Sequence, residues 1–446
     1  MLDGSKETIY ALSTPAGRGG VAVVRVSGPD AKMSLPVLGI SDVPKPRVAT
    51  RAALKRAADD TPIDDALVLS FPGPASFTGE DVIEFHLHGG MAIIDAVQAI
   101  LGDCPGFRLA QAGEFTRRAF WNGKIDLVEA EGLVDLIEAE TEAQRIQALR
   151  QLKGSLSALY NGWQKQLADQ LALVELGLDF SDEGDVEEAD SGLDRQMMET
   201  ILQEMQTHLN DGRRGEIVRN GIKVAIVGAP NVGKSSLLNA LAGRDAAIVS
   251  DVAGTTRDRV DVHLNLGGQA LVLTDTAGLR DSEDVIEQEG IRRSLSAASE
   301  ADIVLLMGEY GSDDGIPAID TAGAEPIVVW NKADLSPVQT SGGSCSRPGI
   351  SISARTGDGI SALEEALTNL VRSLALQSEA PALTRARHRE AVHSAVARME
   401  EAMREPDAVL LAEHLRSAVA ALGRIIGKVD VEDLLDRIFR DFCIGK

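Results

Sequence analysis

The spacing of hydrophobic residues divides the chain into three kinds of segment. Up to about residue 119, short β-branched runs such as 21–26 and 66–71 are broken by Gly and Pro, which is typical of an α+β domain. Along 126–180 apolar residues recur at steps of three and four, and this spacing returns from about 385 to 442. It predicts long amphipathic helices that pack in a bundle. Between the helical segments, short apolar runs end in polar motifs.

The motif GAPNVGKS at 228–235 follows the strand-like run 222–227 and opens a helix-like run. In that context GxxxxGK[ST] predicts a phosphate-binding loop, because its glycines let backbone N–H groups close on phosphates and the helix N-terminus adds a favourable dipole. Lys234 would reach the β- and γ-phosphates, and the Ser235 hydroxyl would bind Mg²⁺. The alternative is a glycine-rich turn between a strand and a helix.

Three more motifs follow in the order expected of a guanine-nucleotide switch protein. LVLTDTAG at 271–278 predicts a strand ending at Asp275, which would hold Mg²⁺, and at Gly278, whose N–H would sense the γ-phosphate. PIVVWNKAD at 326–334 places Asp334 to accept from N1–H and the 2-amino group of guanine. Adenine offers neither donor, so a buried acid rejects it. With GISISAR at 349–355 behind the base, the chain is predicted to bind GTP.

The switch regions depart from the Ras pattern. Thr256, in GTTRD at 254–258, is the expected second Mg²⁺ ligand, although a Gly-Thr-Thr turn is also ordinary loop chemistry. Ras-like enzymes follow the DTAG motif with a glutamine that orients water, whereas Leu279 is apolar and cannot do so. The segment 280–290 is rich in carboxylates, one of which could position water. A solvated acidic loop is the alternative for any single one of them.

Asn231 is a candidate ligand for a monovalent cation. An arginine finger is worth about 10³ to 10⁵ in rate, and some positive charge must neutralise the transition state here. The Asn231 side chain offers a carbonyl oxygen beside the β–γ region, and carbonyl oxygens suit K⁺. The loop 250–254 could supply backbone carbonyls. Asparagine also caps turns, so the chemistry alone leaves both interpretations open.

The complete set of motifs resembles the GTPases of the TrmE–Era–EngA group. Segments outside the GTPase region narrow the resemblance: TPAGRGGV at 14–21, TGEDVIE at 78–84, HGG at 88–90, GEFTRRAFWNGKIDL at 113–127 and FCIGK at 442–446. These are similar to the tRNA modification GTPase family MnmE (TrmE), and the match spans essentially the whole chain.

The resemblance implies a dimeric, K⁺-stimulated GTPase that acts with the flavoprotein MnmG (GidA), which carries FAD and uses NADH. The two would form a heterotetramer and install an aminomethyl or carboxymethylaminomethyl group at C5 of the wobble uridine of certain tRNAs. The one-carbon donor would be a tetrahydrofolate derivative, 5-formyl- or methylene-tetrahydrofolate.

Site residues follow from the resemblance position by position. Mg²⁺ would lie between Ser235 and Thr256, and the water-activating glutamate would be Glu287, with Glu289 as a weaker rival. The implied K⁺ ligands are Asn231, Ser250, Val252 and Thr255. The implied folate contacts are Arg25, Glu84, Lys124 and Lys446. The expected GTP contacts are Asn231, Val232, Gly233, Lys234, Ser235, Ser236, Ser250, Thr255, Thr256, Asp275, Thr276, Ala277, Gly278, Asn331, Lys332, Asp334, Ser353, Ala354 and Arg355.

Helices on both sides of the GTPase motifs predict one helical domain with a nucleotide domain inserted into it. The expected fold is multidomain, α+β and α/β. It comprises an N-terminal α+β folate-binding and dimerisation domain at 1–119, a helical domain in two parts at 120–216 and 378–446, and a Ras-like P-loop GTPase domain at 217–377.

The composition indicates in which cellular compartment the protein works and how it can bind nucleic acid. Three cysteines, Cys104, Cys345 and Cys443, exclude a disulfide framework, and no long apolar run or targeting sequence is evident, so we expect a cytoplasmic protein without a membrane span. The net charge of -24 argues against broad electrostatic binding of nucleic acid, in tension with a tRNA substrate. We expect the partner to supply much of the phosphate-binding surface.

Several alternatives remain at this stage. Cys443 is either a small buried hydrophobe or, as its neighbourhood favours, an anchor or participant in the modification chemistry. His86 and His88 alternate on one strand and are expected to be structural rather than metal ligands. A ribosome-assembly switch would need a KH-like module, which is not evident, and a folate enzyme with regulatory GTP is a third possibility.

Overall fold

The computed structural model describes most of the chain. The described residues are 7–179, 193–211, 213–243, 247–248, 261–275, 298–311, 316, 325–335, 347–374, 381–429, 432–440, 442 and 445. They form two compact units, one of Met1–Val134, Leu152–Ala172 and Leu415–Lys446, the other of Asp135–Gln151 and Leu173–His414. Each unit has its own sheet and its own hydrophobic core.

A six-stranded sheet organises the first unit. Its strands are β1 (Thr8–Leu12), β2 (Gly19–Ser27), β3 (Thr50–Arg56), β4 (Thr61–Phe71), β5 (Val82–Gly89) and β6 (Phe107–Leu109). Their order is β3-β4-β5-β2-β1-β6; β1 and β6 are parallel, and the other neighbouring pairs are antiparallel. Along β2, Val24 and Val26 are buried in the main core. Arg25 lies on the other face, against Phe115, because alternate strand residues face opposite sides.

A seven-stranded sheet organises the second unit. Its strands are β7 (Ile222–Gly228), β8 (Ala247–Ile248), β9 (Asp261–Leu266), β10 (Gln269–Asp275), β11 (Ile303–Glu309), β12 (Glu325–Asn331) and β13 (Ile350–Ser351). The order is β13-β12-β11-β7-β10-β9-β8, with parallel pairing from β13 to β10 and antiparallel pairing of β9 with β10 and β8. Central β7 is apolar on both faces, as expected of a parallel sheet covered on both sides.

The helices follow the predicted periodicity, except that the run along 126–180 is divided into three helices. They are α1 (Ser34–Val37), α2 (Met91–Gly102), α3 (Glu114–Trp121), α4 (Leu127–Glu138), α5 (Glu142–Leu152), α6 (Ser155–Asp179), α7 (Arg195–Leu209), α8 (Arg214–Asn220), α9 (Lys234–Ala242), α10 (Ile360–Leu374), α11 (Ala386–Arg404), α12 (Ala408–Ile426) and α13 (Glu432–Arg440), with 3-10 turns at Ala31–Met33 and Ala333–Leu335. The periodic run stops between α5 and α6 because Gly154 adopts a left-handed φ of 81°.

Helices α9 and α10 cover one face of the nucleotide-domain sheet. Leu237 and Leu241 of α9 and Leu363 and Leu367 of α10 share a core with alternate residues of β7. Residue Val227, on the other face of β7, joins a second cluster with β11. This packing fixes the carboxyl ends of β7, β10 and β12 at one edge of the sheet, which is where nucleotide ligands bind in open α/β folds.

In the first unit the end of the chain packs against the start of the sheet domain. Phe439 of α13 and the following Phe442 are buried in a cluster with Leu127 of α4. Farther along, the backbone carbonyl of Gly445 accepts a hydrogen bond of 2.9 Å from the Ser13 hydroxyl. The last turn of the chain therefore reaches the end of β1.

His208, near the end of α7, is buried at 9 % exposure. Burial disfavours its charged form and Arg389 repels it, which lowers its pKa from 6.5 to about 4. The folded second unit therefore carries a neutral histidine at neutral pH.

We expect acid to destabilise the second unit through this residue. Between pH 6.5 and about 4, His208 is protonated in the unfolded chain but stays neutral in the folded chain. The free energy of unfolding therefore falls as pH falls through this range. At pH 5 the loss should be about 2 kcal/mol. His208→Gln should remove this part of the difference between urea unfolding curves at pH 7 and pH 5. Equal pH dependence in wild type and variant would contradict the assignment.

Candidate functional site

The loop between β7 and α9 has the backbone conformation of a phosphate cradle. Asn231 and Gly233 adopt left-handed φ values of 60° and 101°. A Cβ at Gly228 would lie 2.5 Å from the carbonyl oxygen of Met307, and one at Gly233 would overlap the Asn331 side chain. Both glycines are therefore required by close approach of neighbouring groups.

Lys234 lies inside this loop. Its ammonium donates to the carbonyl oxygens of Gly228 at 2.9 Å and Ala229 at 3.0 Å, and the residue is 8 % exposed. Ser235 and Ser236 follow in the first turn of α9 and are exposed. A fixed cation and a helix N-terminus at one place make this loop a site for anionic phosphate groups.

Asn331 joins the phosphate loop to two other predicted motifs. Its side-chain amide donates to the carbonyl oxygen of Val232 at 2.8 Å, and its oxygen accepts from the backbone N–H of Ala354 at 3.0 Å. The residue is 3 % exposed. The loop that would hold the phosphates and the turn that would back the base are thus fixed to one side chain.

Asp334 is held as an ionised acceptor beside this junction. The Ser353 hydroxyl donates to one carboxylate oxygen at 2.7 Å, and the Arg355 guanidinium lies 2.7 Å from the other. The hydrogen bond from Ser353, together with the charge of Arg355, lowers the pKa of Asp334 below its usual range. Lys332, with a left-handed φ of 65°, pairs with Glu309 at 3.0 Å.

Other predicted nucleotide residues fall partly outside the described chain. Asp275 ends β10, whose parallel register with β7 pairs Asp275 with Ile226, so its backbone lies at the same sheet edge as Gly228. Its side chain is outside the described part. So are Ser250, Val252, Thr255, Thr256, Thr276, Ala277, Gly278, Leu279, Glu287 and Glu289.

The first unit brings Arg25 and Glu84 together. They are register partners on β2 and β5, and the Arg25 guanidinium lies 2.9 Å from the Glu84 carboxylate. The guanidinium also lies over the rings of Phe77 and Phe115, at 5.7 and 5.6 Å from their centroids. Both aromatic partners were missed by the sequence analysis, although Phe77 immediately precedes the TGEDVIE motif.

The other predicted folate residues are only partly described. The Lys124 ammonium is exposed and donates to the carbonyl oxygen of Pro74 at 2.9 Å. Cys443 and Lys446 lie outside the described residues, but Gly445 between them is held by Ser13. The Ser13 N–H donates to the carbonyl oxygen of Val23, so Gly445 is held two residues along the sheet from Arg25.

The alternating histidines have protein partners. His86 Nε2 lies 3.3 Å from Glu84, and His88 Nδ1 lies 2.6 Å from Asp64. Among the residues that the structure describes, no group of three or more metal-binding side chains is found. In the same part of the chain, no helix is long and apolar enough to cross a membrane.

Loss of the Asn331 amide should weaken nucleotide binding. Asn331→Ala leaves the Val232 carbonyl and the Ala354 N–H without their buried partner, at a cost of about 1–3 kcal/mol for an orphaned group. We expect GDP affinity, measured by calorimetry, to fall by about 10- to 100-fold. Asn239→Ala, on the exposed face of α9, is the matched control. An Asn331→Ala variant within twofold of the control would contradict this role.

Comparison with known proteins gives matches along the whole chain. Residues 127–443 match the family model described as the MnmE helical domain, and residues 8–124 match the one described as the GTP-binding protein TrmE N-terminus. The two matches together leave out few residues at either end.

Full-length relatives agree with the family models. The tRNA modification GTPase MnmE of Parvibaculum lavamentivorans is 53% identical over 447 residues, covering 99% of this chain and 100% of the relative. That of Rhodospirillum rubrum is 50% identical over 457 residues, covering 99% of each. A solved structure, Aquifex aeolicus Era bound to GDP and AlF₄⁻, is 25% identical over 42% of this chain and 69% of its own, with a TM-score of 0.26.

Proposed function

The chain belongs to the MnmE (TrmE) family of tRNA modification GTPases, and on that premise we propose that its GTP hydrolysis serves modification of C5 of the wobble uridine in certain tRNAs. The group added would be aminomethyl or carboxymethylaminomethyl. The observation that supports GTP binding most directly is the Asn331 junction, because it holds the loop at 228–235 and the turn at 353–355 side by side, as one nucleotide site would require.

Guanine would be recognised by Asp334. Its carboxylate is ionised and held by Ser353 and Arg355, so it can accept from N1–H and the 2-amino group together. A site built to pair with both donors leaves its acid unpaired when adenine binds, which supports strong selection for GTP. Ala354 and Arg355 would back the base, and Lys332 would flank it.

Magnesium would be held between the Ser235 hydroxyl and Thr256, with Asp275 acting through water. Ser235 lies in the first turn of α9 at the phosphate loop, and Asp275 ends the strand beside β7, so both positions belong to the same edge of the sheet. Mg²⁺ would bridge β- and γ-phosphate oxygens and neutralise developing charge. The N–H of Gly278 would report the γ-phosphate.

A potassium ion would be held by Asn231, with backbone oxygens of Ser250 and Val252 and the neighbourhood of Thr255. The exposed position of Asn231 in the phosphate loop supports this assignment, because an exposed side-chain amide can offer its carbonyl oxygen to a cation. K⁺ would supply the positive charge that an arginine finger supplies elsewhere. Glu287 would position the attacking water, since Leu279 cannot.

A tetrahydrofolate derivative, 5-formyl- or methylene-tetrahydrofolate, would bind in the first unit near Arg25, Glu84, Lys124 and Lys446. The Arg25 guanidinium, bounded by two aromatic rings and by the Glu84 carboxylate, fits a flat, polar ring system with both donors and acceptors. The proximity of Gly445 to Ser13 supports participation of the terminal residues. Bound folate would supply the one-carbon unit.

The proposed assembly is a cytoplasmic homodimer that forms a heterotetramer with the flavoprotein MnmG (GidA), the carrier of FAD and user of NADH. The net charge of -24 supports a division of labour, because a chain this acidic is a poor general binder of tRNA phosphates. The proposed domains are 1–119, 120–216 with 378–446, and an inserted GTPase domain at 217–377.

Cation dependence tests the proposed role of Asn231. We expect replacement of K⁺ by Na⁺ to depress GTP turnover at least tenfold in wild type, because Na⁺ is the smaller ion for a set of carbonyl oxygens. Asn231→Ala should turn over slowly in both salts, so that the difference disappears. Asn239→Ala should keep the wild-type response. Turnover indifferent to the cation in wild type would contradict the K⁺ site.

Wobble-uridine modification in cells tests the function itself. Cells that lack the chain should lose the modification, and the intact chain should restore it. Glu287→Ala should bind GTP within about threefold of wild type but lose most of its turnover and fail to restore modification. Cys443→Ser tests the modification chemistry separately from GTP hydrolysis, because this variant should keep wild-type GTP turnover.

Three outcomes would count against parts of this reading. Normal modification in cells without the chain would refute the function and favour a ribosome-assembly role. Restoration by Glu287→Ala with its turnover abolished would favour a folate enzyme in which GTP is only regulatory. Weakened GTP binding by Glu287→Ala would indicate a structural role for that residue.

A further inference from the structure

Asp135, in the last turn of α4, pairs with two arginines from distant parts of the chain. Its carboxylate lies 2.8 Å from Arg219 Nε and 2.8 Å from Arg385 Nη2. The carboxylate side chain is 9 % exposed, and the arginine side chains are 26 % and 20 % exposed. A carboxylate this deeply buried between two cations is fully compensated only while both remain in place.

The two arginines mark the two connections of the nucleotide domain. Arg219 lies in α8, directly before β7 and the phosphate loop, and Arg385 is the N-cap of α11, the first long helix after that domain. The chain therefore enters and leaves the nucleotide domain at one carboxylate. Rotation of the domain about these connections would have to break at least one of the two ion pairs.

Further hydrogen bonds and ion pairs surround the contacts of Asp135 with Arg219 and Arg385. Gln144 and Gln147 of α5 donate to the backbone carbonyls of Arg219 at 3.0 Å and Gly215 at 2.9 Å. Arg389, one turn beyond Arg385, pairs with Glu216 of α8 at 3.0 Å and donates to the carbonyl oxygen of Leu209 at 2.8 Å. Hydrogen bonds from arginines hold the pKa of Glu216 below its usual range.

The end of α4 and the start of α5, residues 135–147, form a corner that also contacts the β9–β10 hairpin. His263 of β9 lies 3.2 Å from the Glu140 carboxylate, and the Ala143 N–H donates to the carbonyl oxygen of Gly268 at 3.3 Å. Strand β10 ends at Asp275, one of the proposed nucleotide residues. The corner is therefore connected to the nucleotide domain at its two chain connections and at a strand that leads to the nucleotide.

We propose that Asp135 is a positioning residue that couples the nucleotide state of the GTPase domain to helix α4, by clamping Arg219 and Arg385. The inference rests on the proposed function for its consequence, which is that hydrolysis without the clamp would not drive modification. In this proposal Asp135 itself contacts neither the nucleotide nor the attacking water. Its loss should uncouple the two activities and leave hydrolysis itself intact.

The test uses the full chain carrying Asp135→Asn, which keeps the shape of the side chain and removes its charge. Two guanidinium groups then face a neutral amide, so the clamp opens. We expect GTP turnover within twofold of wild type, modification in cells reduced at least tenfold, and amide exchange of 214–220 accelerated at least tenfold. In wild type the exchange of 135–151 should differ between GDP and GDP–AlF₄⁻, and the variant should lose that difference.

Two controls separate clamping from general stability. Glu142→Gln removes an exposed carboxylate on the same corner, where it pairs with Arg145, and should change none of these quantities. Asp135→Glu keeps the charge and should recover most of the modification. Arg219→Ala and Arg385→Ala should each lower modification, and the double variant should lose less than the product of the two, because they share one carboxylate.

Each contrary result has a separate meaning. If the wild-type chain fails to restore modification, the proposed function fails, while the exchange measurements still decide whether the clamp exists. If Asp135→Asn keeps both wild-type modification and wild-type exchange, the clamp is refuted. A parallel fall in turnover, modification and melting temperature, without rescue by Asp135→Glu, would make Asp135 a purely structural residue and would also overturn the proposal.

Discussion

The buried amide of Asn331 is the interaction on which the nucleotide site depends. It pairs with the carbonyl of Val232 in the phosphate loop and with the N–H of Ala354 in the turn beyond β13. An amide of fixed shape can satisfy both groups only when the two segments take one relative position. Because loss of either hydrogen bond would leave a polar group without its partner, the loop at 228–235 and the turn at 353–355 are fixed together.

A second constraint of the same kind operates where the nucleotide domain joins the helices. Asp135 satisfies two arginines at once, and Asp334 is shared by Ser353 and Arg355. In a chain with a net charge of -24, these pairs hold two acids at fixed positions beside cations. Polar groups with two partners thus set the site and its attachment, and the apolar cores supply the frame that keeps them in register.

Sequence alone predicted the elements whose signal is local. Strands ending at Gly228, Asp275 and Asn331 could be found because each apolar run stops at a polar motif, and parallel pairing then brings their ends together. The break at Gly154 was missed because helical spacing continues across it. Asp135 pairs with Arg219, 84 positions away, and with Arg385, 250 positions away, and such distant pairing leaves no local pattern in the sequence. The contacts of Arg25 with the rings of Phe77 and Phe115 leave none either.

The most direct test of the account is a crystal structure of the full chain with GDP, AlF₄⁻, Mg²⁺ and K⁺. The account predicts the guanine edge on Asp334, the phosphates within the Lys234 loop, and a K⁺ ion coordinated by the Asn231 amide oxygen. It also predicts that Asn331 still pairs with Val232. A guanine bound away from Asp334, or an Asn331 amide turned out of the junction when nucleotide binds, would contradict it.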